Sequence, residues 1–528
     1  MNHDLPALWQ EAAKQFDAGQ YEAAAASCHQ LITQAPEKPM AYSLMSKIWH
    51  LRGRVRPATI KAFNASQRIV GSHWKDILAV SSDLLNVGEC HLAHSMLGFI
   101  NPNDPANRES LLELGRQYST LEDQPRALYC IEQAMANGCN GAFAHHMLGI
   151  VLSFTGPIDR AVAACEDSVT DNPTYGHAHW SRAQFGLKEG AEQRVERMRA
   201  ALATPGLGND DTTFLHYALF KELDTLDLTT EAWQALMDGA NARRGVTQYS
   251  AGTENAAFDA LIQATPDGLL DDCGDVPADT TPIFIVGMPR TGTTLLERIL
   301  GNHPRITTCG ELNDFKNQMQ WVNDARLPQQ IDGNFGTFVS ELDYTMLGRR
   351  YLEKTRWLTQ GRAYFSDKHP MNFMSCGMIL KALPHAKIIH LRRHPMDSCF
   401  SNLKELFAKG FYPYSYALDE LASHYRNYDR LMRHWHAIAP GRILDVRYED
   451  LVTQPEQEAR RVQEYLGLPS VDGVTDILAN KKITTTASTL QLRQPIHRRN
   501  VGGWRRYGTG LASLQAQLAQ HCAAYEAP

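Results

Sequence analysis

Residues 282–300 read PIFIVGMPRTGTTLLERIL. Ile283 to Val286 are four consecutive apolar residues, a short buried strand. Gly287 to Thr294 follow as a tight glycine-bearing loop, and Leu295 to Leu300 place apolar residues at helical spacing. A loop between a strand and a helix N-terminus gathers backbone N–H groups around one point, and the helix dipole adds partial positive charge there, so the arrangement cradles an anion. The spacing G-x-x-x-x-G-x-T is that of a P-loop with one change. Thr293 stands where a lysine would reach the β- and γ-phosphates of a nucleoside triphosphate, and Arg290 lies inside the loop instead. The loop is therefore expected to hold an anion other than the triphosphate of a kinase or ATPase. The bland alternative is an ordinary strand-to-helix turn. Against it, strand, loop and helix all fall where an anion site needs them.

At 528 residues the chain is long enough for two or three domains. Apolar residues make up 43% and charged residues 21%, as in an ordinary globular protein. A formal net charge of -6 argues against generic nucleic-acid binding. The ten cysteines are scattered and form no C-x-x-C pair, which suggests neither a zinc site nor a disulfide framework and fits a reducing compartment. The N-terminal MNHDLPALWQEAAKQF lacks a basic region followed by an apolar run, so no signal peptide is expected. No apolar run of about 18 residues occurs, so no membrane span is expected. The expected location is the cytoplasm, with no metal bound.

The first half repeats itself. Gly19, Gly53, Gly88, Glu122, Gly156 and Gly190 follow one another at 34 or 35 residues, and each precedes by five residues a small or β-branched one: Ala24, Ala58, Ala93, Ala127, Ala161 and Val195. A period of 34 is that of the tetratricopeptide repeat, two antiparallel helices meeting at a small-residue turn. Pro36, Pro102 and Pro173 fall near the ends of units. Residues 215–236 read as a degenerate seventh unit that caps the stack. Such helix pairs stack into a superhelix with a concave surface. That groove is either a peptide or protein site or a scaffold that touches no substrate. His145, His146, His177, His179 and Trp180 either line it or pack. The expected organisation is a repeat array over 1–245, a linker without helical period over 246–281, and a second domain over 282–528.

From Pro282 onward strands alternate with helices, which indicates an α/β domain with a mainly parallel sheet. Further strands read at 363–368, at 386–393 and at 442–452, the last reaching Tyr448. Arg393 at a strand end, with Pro395 in the turn and Ser401 eight residues on in the next helix, forms a second anion site suited to a phosphate monoester. The alternative is that Arg392 and Arg393 form surface ion pairs.

These residues resemble a known family. GMPRTGTTLLERIL, GEL at 310–312, DKHPMNF at 367–373, RRHPMDSCFS at 392–401, RYEDLV at 447–452 and TASTLQLRQPIHRRNVGGWRRY look like the sulfotransferases with N-terminal tetratricopeptide repeats, which are similar in their catalytic half to tyrosylprotein sulfotransferases. The resemblance implies 3′-phosphoadenosine 5′-phosphosulfate (PAPS) as donor and a hydroxyl acceptor on a protein, peptide or small molecule, with tyrosine foremost. It implies that Arg290, Thr291, Gly292, Thr293 and Thr294 hold the 5′ end. Arg393 and Ser401 would hold the 3′-phosphate, with Tyr448 and Ser488 helping to hold the nucleotide. It implies Glu311 as general base, with His369 as the alternative, and Lys368 with Arg290 steadying the leaving group. The competing reading is a non-catalytic repeat-based binding protein with a degenerate nucleotide domain. A homodimer is left open. Two positions depart from the pattern: Gly503 stands where a basic residue usually precedes the tryptophan, with Arg499, Arg505 or Arg506 as substitutes, and His497 stands where tyrosine is usual.

Overall fold

The structure is a computed structural model that describes residues 5–527 apart from 275, 277, 278, 329, 409, 487 and 488. Fifteen α-helices precede the first strand among the described residues. Fourteen of them pair as helical repeats, from Leu5–Asp17 with Tyr21–Gln34 to Asn209–Thr225 with Thr229–Gly245. The chain divides into two compact units, one of residues 1–140 with 313–328, the other of 141–312 with 329–528.

The 34-residue period has a direct physical origin. Gly19, Gly53, Gly88 and Gly190 turn the chain with φ between 71° and 79°, left-handed backbone that L side chains rarely adopt, and Glu122 takes the same backbone at φ 62°. Gly156 is the exception; its φ is -109° and Pro157 makes the turn. Five residues on, Ala24, Ala58, Ala93, Ala127 and Ala161 are all 0% exposed. They are the contacts where paired helices touch. In the first unit, helix Leu111–Thr120 approaches Gln124–Ala136 so closely that a Cβ on Gly115 would meet the Ile131 side chain at 2.8 Å and the Ala127 carbonyl at 3.1 Å. The same unit includes helix Asp314–Val322, contributed from far along the chain. Asp324 beyond it takes the Arg56 backbone N–H at 2.8 Å and the Arg54 guanidinium at 2.7 Å, and Arg56 Nε donates to the Trp321 carbonyl at 2.8 Å.

The second unit contains the last three helix pairs and a five-stranded sheet in the order β2-β3-β1-β4-β5, parallel throughout. The strands are β1 Thr281–Gly287, β2 Ile306–Thr308, β3 Tyr364–Asp367, β4 Lys387–Arg392 and β5 Ile443–Arg447. Both faces of β1 are covered, with Ile283 to Val286 all at 0% exposure, which is why it reads as an unbroken apolar run. Phe284 pairs with Asp367 and Gly287 with Leu391, so the carboxyl ends of β1, β3 and β4 come out side by side. An open parallel sheet binds its ligands in the crevice beyond these ends. The strand expected to reach Tyr448 stops at Arg447, and Tyr448 opens helix Tyr448–Thr453.

The seventh pair packs its face against the α/β domain. Tyr217 Oη donates to the Leu403 carbonyl at 3.0 Å, and Arg243 donates to the Phe407 carbonyl at 3.0 Å. Within 246–281 the structure has a helix, Ala251–Ala264, capped by Ser250 and buried through Ala257, Phe258 and Leu261. Its alanine-rich sequence gives a weak apolar stripe, so periodicity missed it. No helix among the described residues is long and apolar enough to cross a membrane.

The Gly115 contact gives a direct test: Gly115→Val overpacks the fourth helix pair and lowers unfolding stability by about 1–3 kcal/mol in urea titrations, whereas the same change at the open Gly208, with nothing near its Cβ, costs less.

Candidate functional site

The loop after β1 is held by its own carbonyls. Thr291 Oγ1 donates to the Met288 oxygen at 2.8 Å, Asn402 Nδ2 to the Pro289 oxygen at 2.8 Å, and Arg393 to the Arg290 oxygen at 2.9 Å. In a trans peptide the N–H lies opposite the C=O, so the N–H groups of Arg290 and Thr291 face away from Asn402 and Arg393. Gly287 (φ 152°) and Gly292 (φ 106°) admit no side chain: a Cβ would lie 2.5 Å from the Leu391 oxygen in the first case and 2.5 Å from the Tyr448 ring in the second. Arg290 sits at φ 67°, left-handed backbone that costs a non-glycine residue roughly 1–2 kcal/mol. Strain of this kind concentrates at functional sites. Helix Thr293–Leu300 begins directly after Gly292, and its first turn carries N–H groups with no intrahelical partner. Thr293 and Thr294 are buried there, with Thr294 Oγ1 3.4 Å from Thr486 Oγ1.

Arg392 and Arg393 part company because successive residues leave a strand on opposite sides. Arg392 pairs with Asp445 at 3.1 Å, while Arg393, buried, lies with its guanidinium 4.6 Å from the centre of the Tyr448 ring. Its Nε has no hydrogen-bond partner among the described residues. Arg290, Gly292, Arg393, Ser401 and Tyr448 line one cleft, together with Lys404, His497 and Asn500. Five residues singled out from sequence are thus brought together. Thr291 spends its hydroxyl on the loop, and Ser488 lies outside the described residues.

Arg499, Arg505 and Arg506 do not line this cleft among the described residues. Arg506 is spent on Asp224 at 2.9 Å and Asp227 at 2.8 Å, and Arg499 on Gln494 at 2.6 Å. The additional cation lining the cleft is Lys404, one helical turn beyond Ser401. It forms no ion pair among the described residues. Burial first, then Lys221 and Arg393, push its ammonium down to about 8. Sequence reading missed it because a lysine in LKELF carries no signal of its own. Gly503 itself sits in a turn fastened by Asp397, whose carboxylate takes the Gly502 N–H at 2.6 Å and the Trp504 N–H at 3.3 Å.

A second group lies at the ends of β2 and β3. Lys368, 0% exposed, donates from Nζ to Glu311 Oε1 at 2.6 Å, and its backbone N–H binds the Gly310 oxygen at 2.8 Å. Burial pushes the Glu311 carboxyl up, but the Lys368 ammonium, with His369 and Arg290, outweighs it and holds the carboxyl below its ordinary range. Arg290 also lies 3.6 Å from the buried Glu405 carboxylate. Beneath this pair, Glu297 accepts the Gly310 N–H at 2.9 Å and the Ser366 hydroxyl at 2.7 Å. One buried carboxylate thus fixes both the turn that carries Glu311 and the strand end that carries Lys368. In sequence Glu297 is only a polar residue on an amphipathic helix.

Residues 282–472 match the family model described as the sulfotransferase family. An uncharacterized protein of Aquifex aeolicus is 28% identical over 370 residues, 68% of this chain and 47% of its own length. Protein-tyrosine sulfotransferase 1 of Danio rerio is 30% identical over 202 residues, 37% of this chain and 56% of its own. The chain spans about half the length of these relatives. Among solved structures, the sulfotransferase domain of the Synechococcus PCC 7002 olefin synthase is similar with a TM-score of 0.35 at 21% identity, covering 49% of this chain and 99% of that one.

Two outcomes follow from the geometry. Glu297→Ala leaves two buried donors without an acceptor and lowers stability by about 2–4 kcal/mol in denaturant unfolding, with Glu297→Gln costing less. Affinity for inorganic sulfate, measured by calorimetry, is expected to fall as pH rises from 7 to 9 because burial and its cationic neighbours push the Lys404 ammonium down to about 8; Lys404→Met is expected to weaken binding roughly tenfold at pH 7 and to flatten that pH dependence.

Proposed function

We propose that the protein moves the sulfuryl group of PAPS to an acceptor hydroxyl, a reading supported by the match of residues 282–472 to the sulfotransferase family model. The observation that carries the reading is the Lys368–Glu311 contact of 2.6 Å at the sheet's carboxyl edge, on the side of Arg290 that a two-anion cleft also reaches. In this reading the 287–294 loop and the helix start receive the 5′ phosphosulfate, while Arg393, Ser401 and Lys404 receive the 3′-phosphate. Tyr448 lies against Gly292 and under the Arg393 guanidinium, and so shapes the floor between the two. Ser488 is assigned to the nucleotide by the resemblance alone.

The donor supplies a sulfuryl group on a phosphate leaving group. Glu311 takes the proton of the acceptor hydroxyl as its oxygen bonds to sulfur and the sulfur–oxygen bond to the phosphate breaks. The products are a sulfate ester and adenosine 3′,5′-bisphosphate. Lys368 has two duties in sequence. Before transfer it keeps Glu311 ionised. As Glu311 becomes neutral its hold on the ammonium weakens, and Lys368 is released toward the negative charge growing on the leaving oxygen. Arg290 stabilises the group in flight. A sulfuryl group carries less charge than a phosphoryl group, so this scheme asks for no metal.

For the acceptor we propose a tyrosine of a protein or peptide, or a smaller phenol, following the activity for which the Danio rerio relative is named. The free state of all ten cysteines fits a reducing compartment such as the cytoplasm.

Incubation with labelled PAPS and a tyrosine-containing peptide library tests the reading: transfer of label is expected, and absence of both transfer and PAPS binding overturns it. Glu311→Gln lowers kcat by roughly 10²–10⁴-fold if Glu311 is the base. Its depressed pKa also fixes the acid limb. A base ionised below the usual carboxylate range leaves kcat/KM flat from pH 5 to 7, whereas a limb near about 6.5 moves the role to His369.

A further inference from the structure

A second chamber, of about 270 Å³, adjoins the first. Arg290 and Gln491 line both. Glu405 stands on the catalytic side, and most of the remaining wall comes from the helical repeats. Helix Ala142–Thr155 contributes Ile150 and Phe154, helix Gly176–Ala183 and the turn after it contribute Trp180, Gln184 and Phe185, and helix Asn209–Thr225 contributes Lys221. These belong to the same compact unit as the sheet. Two further bonds fix the helix Ala142–Thr155 end of that wall, since Arg493 donates to the Gly156 carbonyl at 3.0 Å and the Ser153 carbonyl at 2.8 Å.

We infer that this chamber is the acceptor site, that the repeats build its wall, and that its occupant is a phenol bearing a negatively charged group. The inference rests on the sulfotransferase reading above. Position is the first argument. Arg290 bounds the donor cleft on one side and the chamber on the other, so a hydroxyl in the chamber and a phosphosulfate in the cleft meet across one side chain. Arg290 is also close enough to Glu311 to lower its carboxyl. The wall is the second argument. Phe154, Trp180 and Phe185 offer flat apolar surface for an aromatic ring. Unmet donors are the third. Lys221 donates to Gln184 Oε1 at 3.2 Å and lies 5.2 Å from the Trp180 ring, and it forms no ion pair among the described residues. Gln184 Nε2 has no acceptor at all among them. Among the described residues, an ammonium with no ion pair and an amide with an unmet donor therefore stand side by side on this wall. A ligand that brings acceptor oxygens satisfies that set, and a cationic ligand does not. Burial lowers the Lys221 ammonium, with Arg290 acting in the same direction and Glu405 against it, which a bound anion would reverse.

When such a phenol reacts, its oxygen–hydrogen bond breaks toward Glu311, its oxygen bonds to sulfur, and the bisphosphate leaves with the electron pair of the broken sulfur–oxygen bond. The product is an aryl sulfate.

The full-length protein, labelled PAPS and three phenols of similar size test the inference: 4-hydroxyphenylacetate (anionic), p-cresol (neutral) and tyramine (cationic). The expected order of kcat/KM is anionic, neutral, cationic. Lys221→Met and Gln184→Leu are expected to raise KM for 4-hydroxyphenylacetate roughly tenfold and to erase the order, with p-cresol little changed. Affinity for adenosine 3′,5′-bisphosphate is expected not to fall in either variant. Saturation-transfer NMR of 4-hydroxyphenylacetate on the bisphosphate-loaded protein gives the same comparison without turnover. Equal KM values in wild type and both variants overturn the inference, as does transfer to none of the three by a protein that binds the bisphosphate; in both cases the sulfotransferase reading stands. Loss of bisphosphate binding in the wild type overturns that reading, and the inference with it.

Discussion

Three consecutive carbonyls, those of Met288, Pro289 and Arg290, are each claimed by a side chain. The rest of the site depends on that capture. It fixes the orientation of the loop peptides, and with them the N–H groups that a phosphosulfate would need. Two of the three captors come from distant segments: Arg393 from the end of β4 and Asn402 from the helix after it. The loop therefore cannot take its shape before β1 and β4 have paired. Gly287 sits opposite Leu391 in that pairing, with no room for a Cβ against the Leu391 oxygen. The same guanidinium that holds the Arg290 carbonyl lies over Tyr448 and borders the cleft, so loop shape and cleft chemistry share one side chain.

The helices from 142 to 245 are joined to the α/β domain as parts of one core. Tyr217 is wholly buried and binds the carbonyl of Leu403, the last residue of the helix that bears Ser401. Asp224 takes the Tyr507 hydroxyl and the Arg506 guanidinium, so Arg506 is spent on the repeats. In the cleft Lys404 joins Arg290 and Arg393. An ammonium with no ion pair among the described residues, pushed down to about 8 by its surroundings, is suited to a dianionic partner, which would restore its proton on binding.

How much of this the sequence discloses differs from element to element. The repeat period is legible because a left-handed turn and a helix contact each demand a small residue, at Gly53 and Ala58 for instance, and both demands recur every unit. Strand β1 is legible because burial on two faces leaves no polar interruption. Strand β2 is not: Ile306–Thr308 is three residues long and sits at the sheet edge, too short for a pattern. The helix at 251–264 is hidden by its alanines. In the site, Arg393 is visible by its place at a strand end and Ser401 as a hydroxyl in the helix that follows, whereas Glu297 and Lys404 are not. Their roles arise from what the fold sets beside them, the Gly310–Glu311 turn in one case and the cleft shared with Arg290 and Arg393 in the other. Nothing local distinguishes them from the solvated charges of any amphipathic helix.

The replacement of the loop lysine by Thr293 also takes on a physical reason. A lysine at the start of the helix would put its ammonium on the phosphates from the loop side, with no carboxylate in reach. Here the ammonium comes from Lys368 at the end of β3, wholly buried and 2.6 Å from Glu311. From that position the cation is coupled to a base, which the loop position could not provide. In the proposed transfer, proton uptake by Glu311 and release of Lys368 become one event, because the ion pair cannot outlive the carboxylate's charge. Glu297 makes the coupling geometric as well as electrostatic, since a single carboxylate sets the distance between the turn at Gly310 and the strand at Ser366. A phosphoryl-transfer site built around a loop lysine and a metal has no need of such a link. The proposed sulfuryl transfer gains from it, because in that scheme the proton leaving the acceptor is what frees the positive charge for the leaving oxygen.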